Sequence, residues 1–191
     1  MNPLLVIVSG APGSGKSTLA RALADAVGYA LVSRDDIFEE LVQNHLAEQT
    51  RPHDIAHSAN TAFSARTHGL LARRTSVIVE AAFQHRVWVQ VLESMLPLAD
   101  ACIVRCIVRC IVRCNIEPER ALQRMARRLE QFPEQRAPHQ DQQYLCERLG
   151  RTQHFPSFEH LSIDVPIFDV DTTQGYSPAF EVIAGFLSNR T

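Results

Sequence analysis

The sequence predicts an α/β fold in which helices cover both faces of a five-stranded, mainly parallel sheet, giving three layers in the order α/β/α. Two observations lead to this prediction. Short apolar runs rich in β-branched residues alternate along the chain with longer segments of helical periodicity. The apolar runs are continuous, which is typical of strands buried on both faces of a parallel sheet. Because no composition shift marks a domain boundary, residues 1–191 are expected to form a single domain.

Five strands are predicted, because five short apolar runs stand between the helical segments. In chain order they are Leu4–Val8, Tyr29–Ser33, Ser76–Glu80, the cysteine-rich run after Ala101, and Val165–Val170. The first predicted helix is Ser17–Val27, and Gly28 ends it. A second helical segment opens at Ser33. The later predicted helices are Asp54–Leu71, His85–Leu96, Pro118–Gln131 and Ser177–Leu187. The polar, proline-containing segment Phe132–Asp141 is predicted to be the most mobile.

The composition limits the classes of protein to which this chain can belong. With 191 residues, of which 46% are hydrophobic, the chain is large enough for one sizeable core. The formal net charge is -2, so phosphate binding must come from local arginine clusters and not from a global positive field. The first apolar run is short and leads directly into a glycine-rich loop, which argues against a signal peptide or membrane span. We therefore expect a cytoplasmic protein with reduced cysteines.

The glycine-rich loop after the first strand fits the phosphate-binding pattern G-x-x-x-x-G-K-[ST], which specifies the α/β/α architecture further as a P-loop NTPase fold. Its residues are Gly10, Ala11, Pro12, Gly13, Ser14, Gly15, Lys16, Ser17 and Thr18. The glycines allow backbone N–H groups to turn toward a phosphate, and the following helix adds its positive dipole end. Lys16 is the one lysine among 19 basic residues, and its slim ammonium suits the β- and γ-phosphate oxygens of ATP. The Ser17 hydroxyl is expected to bind Mg²⁺.

The tetrapeptide Ser33-Arg34-Asp35-Asp36 follows the second strand and opens a helix. Helix capping explains its composition, with Ser33 as the N-cap and acidic residues in the first turn. In a doubly wound sheet, however, the carboxyl end of this strand faces the same crevice as the phosphate loop. A carboxylate there would orient and deprotonate a hydroxyl that attacks the γ-phosphate in line. We predict that Asp35 is this general base, with capping alone as the alternative.

The phosphate loop and Ser33-Arg34-Asp35-Asp36 together resemble the small P-loop kinases of the AAA-type, zeta-toxin-like group, which includes polynucleotide kinases and chloramphenicol phosphotransferase. The resemblance extends through Val77–Glu80, Arg124–Arg128 and Val170–Thr173. Bacteriophage polynucleotide kinase has a similar Arg-Asp-Asp whose first aspartate is the general base, which implies that role for Asp35. Polynucleotide kinases tend to place an arginine shortly after these aspartates, whereas this chain has Phe38, so a nucleic-acid acceptor is disfavoured.

Two further sites follow from the ends of later strands. Glu80 ends the third predicted strand, where P-loop enzymes usually keep an aspartate near the metal, so it is a second candidate for Mg²⁺. A surface charge at the end of a strand is the alternative. Asp171 and Thr172 follow the last strand, where the resemblance implies a loop beside the adenine, and a polar turn is the alternative.

The resemblance also assigns a lid to the segment 117–141, which would close over ATP. Arg124 and Arg128 are four residues apart on a predicted helix and share a face. The resemblance implies that both arginines neutralise charge on the transferring phosphoryl group. It implies a position nearer the adenine for Arg127. A solvated arginine-rich helix face is the alternative.

The unit Cys-Ile-Val-Arg occurs three times in succession from Cys102 to Arg113 and is followed by Cys114. In an extended strand, cysteines four residues apart lie about 13 Å from each other, too far for one metal ion or a disulfide. A buried strand needs only about five or six residues, so one copy suffices and the others look like a tandem expansion that lengthens or distorts the strand. Because a shift by four residues preserves which side chains face the core, the register is poorly specified.

Absent motifs disfavour other nucleotide-dependent classes. A guanine-specific Asn-Lys-x-Asp element would need a second lysine, and a Leu-Ser-Gly-Gly transporter signature is missing. Glu80 is followed by two alanines, whereas ring-forming motor ATPases have an Asp-Glu pair at this strand end. The leading hypothesis is a kinase that uses Mg²⁺ and ATP to phosphorylate a small-molecule hydroxyl, without a membrane partner. The alternatives are a non-catalytic ATP-binding regulatory module and a polynucleotide 5'-hydroxyl kinase.

Overall fold

A computed structural model describes residues 3–45, 52–84, 88–89, 91, 107–136, 139, 145–146 and 158–188. In chain order the elements are β1 (Leu4–Gly10), α1 (Lys16–Val27), β2 (Ala30–Ser33), α2 (Arg34–His45), α3 (Pro52–Ala72), β3 (Val77–Ala81), β4 (Ile107–Asn115), α4 (Pro118–Gln131), α5 (Pro133–Arg136), β5 (Ile167–Asp171) and α6 (Phe180–Ser188). Most of the helix predicted over His85–Leu96 lies outside the described residues. Among the helices of the described part, none has both the length and the apolar character needed to cross a membrane.

All five strands form one sheet in the order β2-β3-β1-β4-β5, and every neighbouring pair is parallel. The predicted α/β fold with a five-stranded sheet is therefore confirmed. The central strand β1 lies between β3 and β4, so the phosphate loop leaves the sheet beside the end of β3. In doubly wound sheets, ligands bind in the crevice outside the carboxyl ends of the strands. The fold thus brings the loop, Glu80 and the end of β2 to one edge.

The two faces of the sheet bury separate apolar cores. On one face, Leu5 and Ile7 of β1 pack with residues of α2 and α3. On the other face, Val6 and Val8 pack with residues of α1 and α6. All four side chains are fully buried, and burial of each such side chain stabilises the fold by about 1.5–3 kcal/mol. Helices on both faces explain why β1 is apolar at consecutive positions and confirm the three predicted layers.

The last helix begins later than the sequence predicts. Ser177, which was expected to open it, instead exchanges two backbone hydrogen bonds of 2.9 Å with Asp171. This isolated antiparallel bridge closes a loop at the end of β5, and α6 starts only at Phe180. Because the backbone groups of Ser177 are used by the bridge, they are not available to start a helix.

Strand β4 contains residues 107–109 of the second Cys-Ile-Val-Arg copy and the whole third copy, and the third copy contributes buried side chains to the core. Its buried side chains, with that of the next cysteine, are Cys110, Ile111, Val112 and Cys114. The strand β4 has nine residues, and its register against β1 shifts between Leu5 and Val6, which marks a β-bulge. The strand is thus longer than five or six residues and irregular, as expected for a lengthened or distorted strand, and the extra copies as the cause remain a prediction. Cys102 and Cys106 lie outside the described residues.

Residues at the end of the repeat hold β4 in this register. Asn115 donates a hydrogen bond from Nδ2 to Asp169 Oδ1 at 2.9 Å, and its carbonyl accepts one from the Thr172 N–H at 2.9 Å. Arg113 forms a bidentate ion pair with the same Asp169, and its hydrogen bond lowers the pKa of that carboxyl. After a slip of four residues, another arginine would replace Arg113, but Ile111 would replace Asn115. The asparagine is therefore the side chain that distinguishes one register from the other.

Replacing Asn115 with isoleucine is expected to lower the free energy of unfolding by about 1–3 kcal/mol, because a hydrogen bond to a charged group is lost. The substitution also continues the repeat, so slipped registers become accessible. Urea unfolding measures the first effect, and hydrogen exchange of the β4 amides measures the second. An unfolding free energy within about 0.5 kcal/mol of the wild type, with unchanged exchange, would contradict the proposed register lock.

Candidate active site

The phosphate loop joins β1 to α1 and contains two glycines with left-handed backbone conformations. Gly13 and Gly15 have φ values of 81° and 78°, in the left-handed region that favours glycine. Gly15 is the N-cap of α1, and in this turn no side chain caps the helix and no acidic residue is present. The first N–H groups of a helix have no intrahelical acceptor, and the dipole is positive at this end. The loop can therefore surround an anion with backbone donors.

The loop is closely packed between β4 and α4. A Cβ atom at Gly10 would lie 2.7 Å from the carbonyl oxygen of Cys114, and one at Gly13 would lie 2.5 Å from the carbonyl oxygen of Ala121. Both glycines are thus required by packing against backbone atoms. Burial raises the pKa of the Cys114 thiol to about 12, so the side chain beside Gly10 is uncharged.

Replacing Gly13 with alanine is expected to weaken ATP binding by about 100-fold, because the Cβ atom would displace the loop and misplace its donors. Gly28 offers a matched control, since its φ is also positive at 69° but nothing lies within 4 Å of a Cβ atom there. Gly28→Ala should strain the backbone to a similar extent and leave ATP binding unchanged. Isothermal titration calorimetry with ATP measures both variants, and equal affinities would refute the packing argument.

Glu80 is a buried carboxylate that links three elements at the edge of the sheet, with 1% of its surface exposed. Its Oε1 accepts a hydrogen bond from the Ser17 hydroxyl at 3.2 Å and lies 3.6 Å from Lys16 Nζ. Its Oε2 accepts a hydrogen bond from the Ser33 hydroxyl at 2.9 Å. A buried carboxylate needs a compensating charge and hydrogen bonds, and these neighbours supply both. The network holds Lys16 and Ser17 against the ends of β2 and β3.

Ser17 and Glu80 are the two residues predicted from the sequence to bind Mg²⁺. Their hydroxyl and carboxylate oxygens are adjacent at the end of the phosphate loop. Both are hard oxygen donors, which Mg²⁺ prefers, and this ion is usually held by one or two protein groups together with phosphate oxygens and water. The residues present therefore fit the predicted ion.

The two adjacent aspartates have different surroundings. Asp36 is exposed and forms an ion pair with Arg21 of α1, in which Arg21 Nη2 lies 2.7 and 2.9 Å from the two carboxylate oxygens. Its backbone N–H donates to Ser33 Oγ at 3.3 Å, so Ser33 caps α2 as predicted. Asp35 instead lines a pocket, where its Oδ1 lies 3.7 Å from Arg34 Nη1. Capping and the pocket thus use different residues of the same tetrapeptide.

The pocket beside Asp35 has a volume of about 210 Å³ and lies at the carboxyl edge of the sheet. It is lined by Arg34, Asp35, Asn60, Ala81, Ala82, Gln84 and Trp88. Of these residues, sequence analysis singled out only Asp35 as a site residue. Asn60 belongs to α3 and Gln84 follows β3, and neither is part of a motif. Only the fold brings them together, although Trp88 could have attracted attention as the one tryptophan of the chain.

Helix α4 places Arg124 between the phosphate loop and the loop that follows β5. Its Nη2 donates hydrogen bonds to the carbonyl oxygens of Thr172 at 2.6 Å and Thr173 at 3.2 Å. A Cβ atom on Gly15 would lie 3.5 Å from its Nη1. Arg128, one turn later, is partly buried, whereas Arg127 is exposed. The lid prediction therefore has its clearest geometric support at Arg124.

Asp171 and Thr172 have separate surroundings in the loop after β5. Thr172 is buried, and its hydroxyl lies 2.6 Å from the Ser14 carbonyl oxygen, which ties this loop to the phosphate loop. Asp171 is exposed, and a hydrogen bond from the Thr173 N–H at 2.8 Å lowers the pKa of its carboxyl. Asp171 also lines a second pocket of about 270 Å³, together with Glu117, Thr173, Gln174, Gly175, Tyr176 and Ser177. This groove is where we expect the adenine, and Thr172 supports the loop beneath it.

Comparison with known families agrees with this geometry. A family profile described as "AAA domain" matches residues 5–149, which is more than half of the chain. The chain belongs to this AAA domain family. The resemblance to AAA-type P-loop proteins, based on the phosphate loop and Ser33-Arg34-Asp35-Asp36, is thereby confirmed.

Proteins similar to this AAA domain carry kinase names. Over 40 residues the chain is 58% identical to a cytidylate kinase of Haloarcula marismortui, and the match covers 21% of each protein. The chain thus spans about a fifth of the length of the curated relatives that it matches. A candidate kinase from Chloroflexus aurantiacus is 22% identical over 100% of both chains, with a TM-score of 0.75. A gluconokinase from Sinorhizobium meliloti 1021 is 21% identical over 97% of this chain and 92% of its own, with a TM-score of 0.55. These structures share the fold of the AAA domain.

Proposed function

We propose that this AAA domain is a phosphotransferase that moves the γ-phosphoryl group of Mg-ATP to a hydroxyl of a small-molecule acceptor. The observation that carries the proposal is the shared location of two sites. The Asp35 pocket and the phosphate loop both lie at the carboxyl edge of the sheet, and Glu80 connects their supporting elements. An in-line transfer needs a donor site and an acceptor site close together, and a shared edge of the sheet supports this arrangement. The kinase names of similar proteins support the same reaction class.

Each side chain has a task that follows from its chemistry. The Lys16 ammonium binds β- and γ-phosphate oxygens beside the backbone donors of the loop. Asp35 accepts the proton of the acceptor hydroxyl as its oxygen bonds to the γ-phosphorus and the bond from that phosphorus to the ADP oxygen breaks. Arg124 compensates the negative charge on the transferring group. Ser17 and Glu80 would hold Mg²⁺, which supplies further neutralisation of phosphate charge when bound.

A small acceptor is favoured by the size and surroundings of the pocket. Its volume of about 210 Å³ is below the roughly 300–1,000 Å³ typical of drug-sized ligand sites. Phe38, which stands where polynucleotide kinases tend to have an arginine, is buried against the core and offers no charge to a nucleic-acid strand. Cytidylate kinase and gluconokinase, the names of two similar proteins, also denote small acceptors.

Measurement of ADP formation tests the proposal. The purified protein is incubated with Mg-ATP and a panel of nucleosides, oligonucleotides, sugars, aminoglycosides and phenicol antibiotics, with Lys16→Ala as the blank. We expect at least one small acceptor to stimulate ADP formation. An oligonucleotide that stimulates it, with a steep salt dependence, would favour the polynucleotide kinase alternative. ATP binding without stimulation by any acceptor would favour the non-catalytic module.

A further inference from the structure

The pocket contains a cation that the proposed transfer does not use. The Arg34 side chain is 20% exposed, and its Nε donates a hydrogen bond to Asn60 Oδ1 at 3.2 Å. The guanidinium lies over the Phe38 ring, 5.0 Å from the ring centroid. These two contacts orient the flat group at the wall of the pocket. Asn60 and Phe38 carry no charge, so these two contacts orient the guanidinium without neutralising it.

The outer nitrogens of this guanidinium have little to bind within the protein. The only carboxylate recorded near them in the described part of the chain is that of Asp35, whose Oδ1 lies 3.7 Å from Nη1. That distance is longer than a hydrogen bond, so the attraction is weak and monodentate. A guanidinium presents two parallel N–H donors that match the oxygens of a carboxylate or phosphate. Arg34 thus lines the pocket, and no carboxylate of the described residues is recorded in a bidentate pair with it.

We infer that Arg34 binds an anionic group of the acceptor, so that the substrate is a small hydroxy compound with a carboxylate or phosphate near the hydroxyl that is phosphorylated. This inference rests on the proposed function and specifies its substrate class. The amides of Asn60 and Gln84 line the same pocket and supply donors and acceptors for further hydroxyl groups. Arg34 would bind the anionic group and the adjacent Asp35 would bind the neighbouring hydroxyl of the acceptor.

Trp88 allows this inference to be tested without turnover. It is the one tryptophan of the chain and it lines the pocket, so its fluorescence reports on occupancy directly. Two sets of matched probes are titrated in the presence of Mg-ADP. The first set is glycerol, glycerate and glycerol 3-phosphate, and the second is sorbitol, gluconate and sorbitol 6-phosphate. Within each set the hydroxyl-bearing scaffold is similar and the anionic group changes.

We expect an anionic member of at least one set to bind about tenfold or more tightly than its neutral counterpart, because a charged, bidentate contact is gained. Comparison of carboxylate with phosphate shows which anion is preferred. Arg34→Gln should bring the anionic and neutral affinities together, and Arg34→Lys should retain only part of the preference because the fork is lost. Arg66→Gln is the matched control, since Arg66 is an exposed arginine paired with Glu40 outside the pocket.

Equal binding of anionic and neutral probes, no response to any anionic probe, or a preference that survives in Arg34→Gln would each overturn the inference. Thermal unfolding and calorimetry with ATP show whether Arg34→Gln is folded, and Arg34→Lys provides the same comparison if it is not. If the proposed phosphotransferase function is wrong, the experiments give a different result. In that case no acceptor stimulates ADP formation, although the Arg34-dependent response of Trp88 to anions persists.

Discussion

Replacing Arg124 with alanine is expected to reduce acceptor-dependent ADP formation by about 10³–10⁵-fold, the range seen when an arginine that stabilises phosphoryl transfer is removed. The physical reason is its location. Arg124 is anchored to the carbonyl oxygens of Thr172 and Thr173 and lies beside Gly15 of the phosphate loop. A cation in this position faces the charge that develops during transfer, where water screens it weakly. The kcat at saturating ATP, measured with an acceptor identified in the panel, is the quantity to compare.

Arg120 is the matched control for this experiment. It belongs to the same helix, is exposed, and forms a hydrogen bond with Gln123 at 3.2 Å. Arg120→Ala should leave kcat within about twofold of the wild type, as is usual for surface substitutions. Arg124→Lys separates charge from shape, because lysine retains the charge but not the planar fork. A loss smaller than about tenfold in Arg124→Ala would show that Arg124 supports the loop after β5 and does not stabilise the transfer.

Asp35→Asn is expected to lower acceptor-dependent kcat by about 10²–10⁴-fold, the contribution typical of a general base. Asparagine has nearly the same shape as aspartate but cannot take up the proton of the acceptor hydroxyl. Binding of ATP should be unaffected, because Asp35 lines the acceptor pocket and not the phosphate loop. Steady-state kinetics gives kcat, and calorimetry gives the affinity for ATP.

Asp36→Asn is the matched control, because it makes the same substitution at the neighbouring aspartate. Asp36 is ion-paired with Arg21 at the surface, so its replacement removes an exposed pair worth about 0.2–1 kcal/mol of stability and nothing from the pocket. We expect its kcat to remain within about threefold of the wild type. If Asp36→Asn were the more damaging substitution, the base would have to be reassigned. If neither changed kcat, deprotonation by a carboxylate of this tetrapeptide would be refuted.

The parts of the site that could be predicted from sequence are local. The phosphate loop is contiguous, and glycines at fixed spacing impose its backbone shape wherever a strand leads into a helix. Lys16 and Ser17 follow from the same pattern. Glu80 could be proposed because a buried parallel strand is easy to recognise and its last residue must lie at the ligand edge. Such features depend on neighbours within a few residues, so they can be seen in a single sequence.

The parts that could not be predicted depend on residues distant in sequence. The tetrapeptide alone leaves the choice between Asp35 and Asp36 open, and the fold gives them different surroundings, with Asp36 paired to Arg21 of α1 and Asp35 lining the pocket. Arg34 became a candidate for anion binding only when Asn60 of α3 and the Phe38 ring were found to orient it. The predicted roles of Arg127 and Arg128 remain predictions.

The sequence by itself determined that this is a P-loop α/β domain, because that outcome rests on local spacing and on the alternation of apolar strands with helices. Only the tertiary structure decided that β4 consists of residues 107–109 of the second copy, the whole third copy, and Cys114 and Asn115. A strand with a four-residue repeat buries equivalent side chains in every register, so hydrophobic burial alone cannot select one. The side chain that distinguishes the observed register from a slipped one is Asn115, whose Nδ2 contacts Asp169, more than fifty residues away in sequence, only in the folded sheet.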